Sequence, residues 1–346
     1  MRTHPGAGRP APAPGDHDAP HDGETIRIGE ARLTVPQFLR AVAAQLDHAD
    51  TAADPELRPV AECFLGAGLT ALRAAAEPRT WLEYRLVPGP DGATPALYEG
   101  LLHTVRELLA ARWIDDFFFV HKTPGLRVRF DTCAAYRAQT QDRLARAWED
   151  WRAAGLLTEV RPAVYEPEQH LFGGPRSMRG VHRVFTADSL LWLSHLSLPT
   201  PPAPGWALSL AATRVLLERL GVADFEDRDV WDRLRRQLGR RFEAEPPADW
   251  PALSARLNLL WHSPQQLAAL RAPVIEPAFD AFQESVARAC DTWHEEYFGS
   301  PGARVGPREA AALLTVFHWN RARMPKNWQV GITEALAQGP SEESQP

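Results

Sequence analysis

Trp113-Ile114-Asp115-Asp116-Phe117-Phe118-Phe119-Val120-His121-Lys122-Thr123-Pro124-Gly125-Leu126-Arg127-Val128-Arg129-Phe130 decides the fold. Two runs rich in aromatic and β-branched residues flank a Pro-Gly turn, the pattern of a β-hairpin. Side chains alternate along a strand, so Leu126, Val128 and Phe130 take one face and Arg127 and Arg129 the other. Two neighbouring arginines repel each other. A sheet bears that cost most readily where an anion or a polar substrate supplies the missing partner. The plainer alternative is a pair of solvated arginines on an exposed face.

Working outward, Thr80–Val87 alternates as another strand and 157–165 as a fourth. Helical spacing runs through 34–48, 55–76, 96–112 and 134–154. From about residue 187 the pattern is helical nearly throughout, over 187–197, 205–220, 227–241, 250–269, 275–298, 307–321 and 328–337. This predicts an α+β fold: a mixed sheet core in the middle of the chain, extensive helices, and a largely helical C-terminal half. Residues 1–24 are rich in Pro, Gly, Ala, Asp and His and read as a disordered tail, its three histidines (His4, His17, His21) included. Residues 339–346 read as a second tail, leaving one domain over 25–338.

Composition narrows the function. The chain has 346 residues, 45% of them hydrophobic, enough for a real core. Twelve Trp and fourteen Phe against five Tyr fit either a thick core or a groove that grips a peptide. A net charge of −6 argues against a general nucleic-acid role. Cys63, Cys133 and Cys290 lie far apart with no metal-ligand spacing, so no metal site is expected, and the sparse count fits a reducing cytoplasm. No run approaches a membrane span, no signal peptide is evident, and no phosphate-loop or Gly-x-Gly-x-x-Gly motif follows a strand.

Five places could carry chemistry. Arg127 and Arg129 are the first. Tyr165-Glu166-Pro167-Glu168-Gln169-His170-Leu171-Phe172-Gly173-Gly174-Pro175 leaves a strand for a loop, and its glycine pair permits a sharp turn or close approach to a ligand. A plain connection is the alternative. Just beyond, Thr186 or Asp188 reads as a helix cap. Leu314, His318 and Arg321 share one helix stripe, where a histidine is either catalytic or a satisfied core residue. Helix 275–298 places Ser285 and Tyr297 near an aromatic stripe, as proton-exchanging groups or as core. Arg233, Arg235, Arg236, Arg240 and Arg241 form a basic cluster, either a dock for an acidic peptide or a solvated face with internal partners.

Trp81–Leu86, Phe117–Phe119, the Arg-x-Arg strand, Tyr165–Glu168, Gly173-Gly174, Phe185–Ser189 and the late His-x-Asn-Arg occur in an order that resembles the elimination domain of lantibiotic dehydratases over roughly residues 78–337. The resemblance implies that fold, a ribosomally made precursor peptide as partner, and no metal or nucleotide cofactor. Arg127, Arg129, His318 and Arg321 match the family's pattern. Two places depart from it: Gly125 stands where members usually carry His before the Leu-Arg-Leu-Arg run, and Leu171-Phe172 stands for the Arg-Tyr of Pro-Glu-x-x-Arg-Tyr-Gly-Gly. That arginine is implicated in glutamate elimination, and leucine cannot bind a carboxylate.

The altered site is similar to that of the stand-alone pyridine synthases of thiopeptide biosynthesis, of the thiomuracin type and its relatives. These join two dehydroalanines of one peptide in a formal aza-[4+2] cycloaddition. Water is lost, the macrocycle closes and the leader peptide leaves as an amide. The implied roles are proton transfer for His318, Tyr297 and Ser285, and substrate binding for Arg127, Arg129, Arg321, Asn320 and Phe172. Leader peptides of this class tend to be acidic, so Arg233, Arg235, Arg236 and Arg240 are the candidate leader dock. The substrate would be a dehydrated, thiazole-bearing precursor in the cytoplasm, with possible contact with other biosynthetic enzymes. A glutamate-eliminating subunit and a non-catalytic leader-binding scaffold are the rival readings.

Overall fold

In a computed structural model, the hairpin pairs as the sequence predicts. The structure describes residues 25–47, 55–76, 79–200, 204–222 and 225–339. The two tails and His4, His17 and His21 lie outside the described residues except Gly339.

The chain divides into two units, Met1–Glu77 and Pro78–Pro346, where a single domain was expected over 25–338. The first holds a hairpin of β1 (Thr25–Ile28) and β2 (Ala31–Thr34), then α1 (Val35–Asp47) and α2 (Leu57–Ala76). Ile28, Phe38, Val42, Leu57 and Ala61 form its own small core, which is why it separates. The hairpin turns at Gly29, whose φ of +56° is readily adopted by glycine.

The second unit carries an antiparallel sheet of β3 (Arg79–Pro88), β4 (Asp116–Lys122), β5 (Gly125–Cys133) and β6 (Leu157–Ala163), in the order β4-β5-β3-β6. Two helices, α3 (Pro95–Ala110) and α4 (Ala134–Ala153), interleave with the strands. Phe130 and Tyr84 meet Trp148 of α4, so the Leu126–Val128–Phe130 face is a core face. Gly125 has a steric reason: a Cβ there would lie 2.1 Å from the Leu86 carbonyl oxygen of β3.

The remainder is helical: α5 (Pro175–Leu196), α6 (Gly205–Arg219), α7 (Glu226–Arg236), α8 (Trp250–His262), α9 (Pro264–Ala268), α10 (Glu276–Trp293), α11 (Pro307–Arg321) and α12 (Lys326–Gln338). Among the described residues no helix is long and apolar enough to cross a membrane. The architecture is α+β. One boundary moves far: α5 starts at Pro175, not 187. Gly174, at φ +112°, turns the chain into a proline-led first turn, and Met178, Val181, Val184 and Phe185 carry the buried face back from there. Thr186 and Asp188 therefore lie inside a helix and are not caps.

Candidate functional site

The site grows from the outer edge of β4. An edge strand leaves every second N–H and C=O unpaired, and here side chains of two helices take them up. Phe117 N–H donates to Thr186 Oγ1 at 3.0 Å and Phe119 N–H to Ser189 Oγ at 3.4 Å, both on α5. His121 N–H donates to Asn320 Oδ1 of α11 at 2.8 Å, and Asn320 Nδ2 donates to the His121 carbonyl at 2.9 Å. The His121 ring is locked as well. Its Nδ1 lies 2.9 Å from the Asn320 carbonyl, which can only accept, so Nδ1 carries the proton and Nε2 accepts from the Tyr98 hydroxyl at 2.9 Å. Burial lowers the ring's pKa to about 4.

Beneath this edge, Asp188 of α5 ties α11 in place. Its Oδ1 lies 2.6 Å from His318 Nδ1 and its Oδ2 2.5 Å from Arg321 Nε. His318 Nε2 meets Ser209 Oγ of α6 at 2.9 Å. Burial pushes the Asp188 carboxyl up, but His318 and Arg321 outweigh it and hold the group at about 2. Arg321 is buried against the Phe185 ring, with its Nη1 unpartnered. The space beside this group takes no more than about one water molecule. His318 and Arg321 thus brace the packing of α5, α6 and α11.

On the same face of the sheet as α5, whose His182 and Phe185 pack on Phe118, Arg129 Nε donates to Glu83 Oε2 at 2.8 Å across β5 and β3. Its guanidinium lies 4.8 Å from the Phe118 ring centroid and 4.7 Å from that of Tyr165. Tyr165 Oη pairs with His182 Nε2 at 2.9 Å. Burial, with the Arg129 charge, lowers His182 to about 3, so the ring is neutral and accepts from the phenol. Burial pushes the Tyr165 phenol well above its ordinary value, keeping it protonated.

Next to this packed group opens a cavity of about 210 Å³. Lys122, Arg127, Arg129, Glu168, Phe317 and Asn320 are among its lining. Arg127 is half-buried, and among the described residues its side chain makes no ion pair or hydrogen bond. Glu168 has a buried Oε2 with no partner. Arg127, with no counter-ion among the described residues, and Glu168 therefore line one cavity. Such a pair can hold a carbonyl oxygen and accept an amide proton from the same substrate.

The family model described as lantibiotic biosynthesis dehydratase C-term matches residues 81–329. The chain belongs to that family. Among solved structures, it is similar to the tRNA-dependent lantibiotic dehydratase MibB from Microbispora sp. 107891, with a TM-score of 0.58 and 17% identity, over 75% of this chain and 28% of that one. The chain therefore spans little more than a quarter of MibB, and the likeness is one of fold. A match to TsrL covers 77% of this chain and all of that one at 13% identity, with a TM-score of 0.26. No curated protein matches. The family assignment supports a role in the biosynthesis of ribosomally made, modified peptides.

Within this lantibiotic dehydratase C-terminal fold, the residues named from sequence separate into groups. Arg127, Arg129 and Asn320 converge on the cavity. His318 and Arg321 sit behind it in the Asp188 cluster. Tyr297 is buried at the end of α10's continuation, its Oη accepting the backbone N–H groups of Arg304 at 2.9 Å and Val305 at 3.0 Å. Ser285 is half-buried on α10 and accepts from Arg288 at 3.2 Å. None of His318, Tyr297 and Ser285 hydrogen-bonds another of the three. Phe172, expected to touch substrate, is fully buried between Phe185 and Phe317 because α5 and α11 close over it. Phe317 is the ring that reaches the cavity.

Three arginines of the basic cluster lie on α7 and pair with acids within the molecule, while Arg240 and Arg241 lie beyond its end. Arg233 pairs with Asp229 at 3.0 Å, Arg235 with Glu334 at 2.9 Å and Arg236 with Asp232 at 2.9 Å. Arg240 donates to Gln329 Oε1 at 3.1 Å. Glu168 is the group the sequence reading quoted without assigning it a role. Its sequence signal is a carboxylate five residues before a Gly-Gly turn, in the loop that leaves β6.

Proposed function

We propose that this chain is a pyridine synthase, acting on a precursor peptide that carries dehydroalanines and thiazoles. The observation that carries the reading is the cavity, lined by Glu168 and by Arg127 with no counter-ion among the described residues, and Leu171, 40% exposed, at the position where eliminating members hold an arginine. One dehydroalanine amide must react as its iminol, a 2-azadiene. Its N–H proton must go to an acceptor and its oxygen must take a proton. Glu168 takes the proton at the nitrogen and returns it to the oxygen, where Arg127, with Lys122 nearby, stabilises the charge until the iminol O–H forms. The diene termini, the dehydroalanine Cβ and the iminol carbon, then form two C–C bonds to the second alkene, while both ring C–N bonds are already present in the peptide. The hydroxyl derived from the amide oxygen leaves as water, and the leader leaves as its carboxamide when the ring aromatises. Holding both alkenes at bonding distance supplies roughly 7–11 kcal/mol of the barrier reduction. His318 and Arg321 act as positioning residues through α11, which carries Asn320 and Phe317.

The test is mass spectrometry of a dehydrated, thiazole-bearing precursor incubated with this protein alone. The expected product has lost leader amide and water and shows pyridine absorbance. Loss of glutamate from a glutamylated precursor instead would place the chain with the eliminating subunits. Tight leader binding without turnover on either peptide would leave a scaffold. With turnover in hand, Glu168→Gln is expected to lower kcat by about 10²–10⁴-fold with little change in KM. Ser285→Ala and Tyr297→Phe test the proton-transfer set named from sequence. A loss confined to these two, with Glu168→Gln silent, would return catalysis to them.

A further inference from the structure

The face of the sheet that carries Arg129 has a second row. Antiparallel register sets Arg127 of β5 opposite Arg85 of β3, and Arg85 opposite Arg161 of β6. Directly opposed residues share a face, so three arginines stand side by side at the strand spacing of about 4.8 Å. One step along, the same face places Glu83 against Arg129 and is neutral. The arginine row has no acid between its members. Arg85 is exposed, and among the described residues its side chain makes no ion pair or hydrogen bond. Arg161 is exposed, and its one ion pair among the described residues is with Glu159, two residues away on its own strand. An exposed pair of this kind stabilises little. Lys122, exposed at the end of β4, adds a fourth cation where the row meets the cavity.

Like charges directly opposite each other destabilise a sheet. Three in succession, beside a row that pairs correctly, call for an anion from elsewhere. We propose that Arg161, Arg85 and Arg127 form a docking track for an acidic peptide segment, leading through Arg127 into the cavity. The proposal rests on the peptide-substrate reading above and names the part of that substrate outside the reacting residues: a stretch with several Asp or Glu. Charge complementarity selects the occupant. The track spans about 10 Å across three strands, which suits two or three carboxylates of a short segment. The chain's net charge of −6 disfavours an extended polyanion such as a nucleic acid. Arg233, Arg235 and Arg236 of α7 differ from the track in that each has an acid of its own helix or of α12 within 3.0 Å, whereas Arg85 and Arg127 have none among the described residues.

The probe is a fluorescein-labelled decapeptide of alternating Glu and Ala, titrated against the full chain by anisotropy at low and at physiological salt. Arg85→Glu with Arg161→Glu is expected to weaken binding at least tenfold and to flatten its salt dependence. Arg233→Glu with Arg236→Glu is expected to change it less than twofold. Because the track is self-repelling, Arg85→Gln with Arg161→Gln should melt no lower than the parent while still losing affinity. That combination is what a merely structural role would not give. Equal affinity of parent and Arg85/Arg161 variants would overturn the proposal, as would a thymidine decamer binding more tightly than the peptide. The two readings fail separately. Arg85-dependent binding without any cyclised product would sink the synthase reading and keep the track. Cyclisation with an unchanged KM in the Arg85/Arg161 variants would do the reverse.

Discussion

Asp116 shows how much a single buried group can be read from its neighbours. Thr186 Oγ1 accepts the Phe117 N–H and lies 2.8 Å from Asp116 Oδ1 and 2.9 Å from the His182 carbonyl. One hydroxyl proton cannot serve both oxygens. With Asp116 protonated the geometry closes: the carboxyl donates to Thr186, and Thr186 donates to the carbonyl. Burial raises the Asp116 pKa to about 7, with neighbouring Asp131 adding to the rise and Thr186 opposing it. A carboxyl whose folded pKa is raised stabilises the fold while it stays protonated. It costs stability progressively as pH climbs from near 4 to 7. Asp116→Asn is therefore expected to raise stability at pH 8, on the order of 2–4 kcal/mol, and to change it little at pH 4, measured by urea denaturation at both values. His121 and His182 run the opposite way. Their folded pKa values are lowered, so the stability they lend at neutral pH fades as pH falls below about 6.5.

At the scale of elements, the edge of β4 is the hinge of the site. Asn320 alone closes two backbone bonds to His121. Asn320→Ala would leave a partly buried N–H and C=O without partners, at a cost of about 2–3 kcal/mol. It would also loosen the His121 end of the cavity. A melting curve gives the first effect, and a KM increase larger than the fall in kcat gives the second. This level is also where sequence reading succeeds and fails most clearly. The hairpin, its inward Leu-Val-Phe face and the Arg127/Arg129 face follow from alternation alone. The His318/Arg321 stripe follows from helical spacing. Asp188 could not be read as their partner, because it lies 130 residues from His318 and no periodicity links them. The start of α5 was missed because Gly-Gly-Pro reads as a break, although here it launches a helix. For Ser285 and Tyr297, helical spacing shows which residues share a face, not what that face meets.

For the whole molecule, two separate cores make the division at Glu77 and Pro78 a testable boundary. The segment Pro78–Pro346 contains the full four-stranded sheet, the Asp188 cluster and the cavity. Expressed alone, it is expected to unfold cooperatively, with a Tm within a few degrees of the main transition of the full chain. A broad, non-cooperative melt would mean that the first unit is needed for the second to fold. The α+β class and the helical C-terminal half followed from the sequence. The boundary did not, because Ala-rich α2 runs into β3 with no linker-like composition to mark it.

The sheet has two ends, and they are treated differently. Side chains of α5 and α11 occupy the outward groups of β4, while among the described residues no strand pairs with the far side of β6. A free strand edge invites a second molecule to continue the ladder, the first step towards aggregation. Here that edge carries Pro162, which has no N–H to offer, between exposed Arg161 and Ala163. Two such edges approaching each other would bring arginine towards arginine and miss a hydrogen bond at the proline. The residues that charge the open face thereby also guard the chain, when concentrated, against zipping to its own copies.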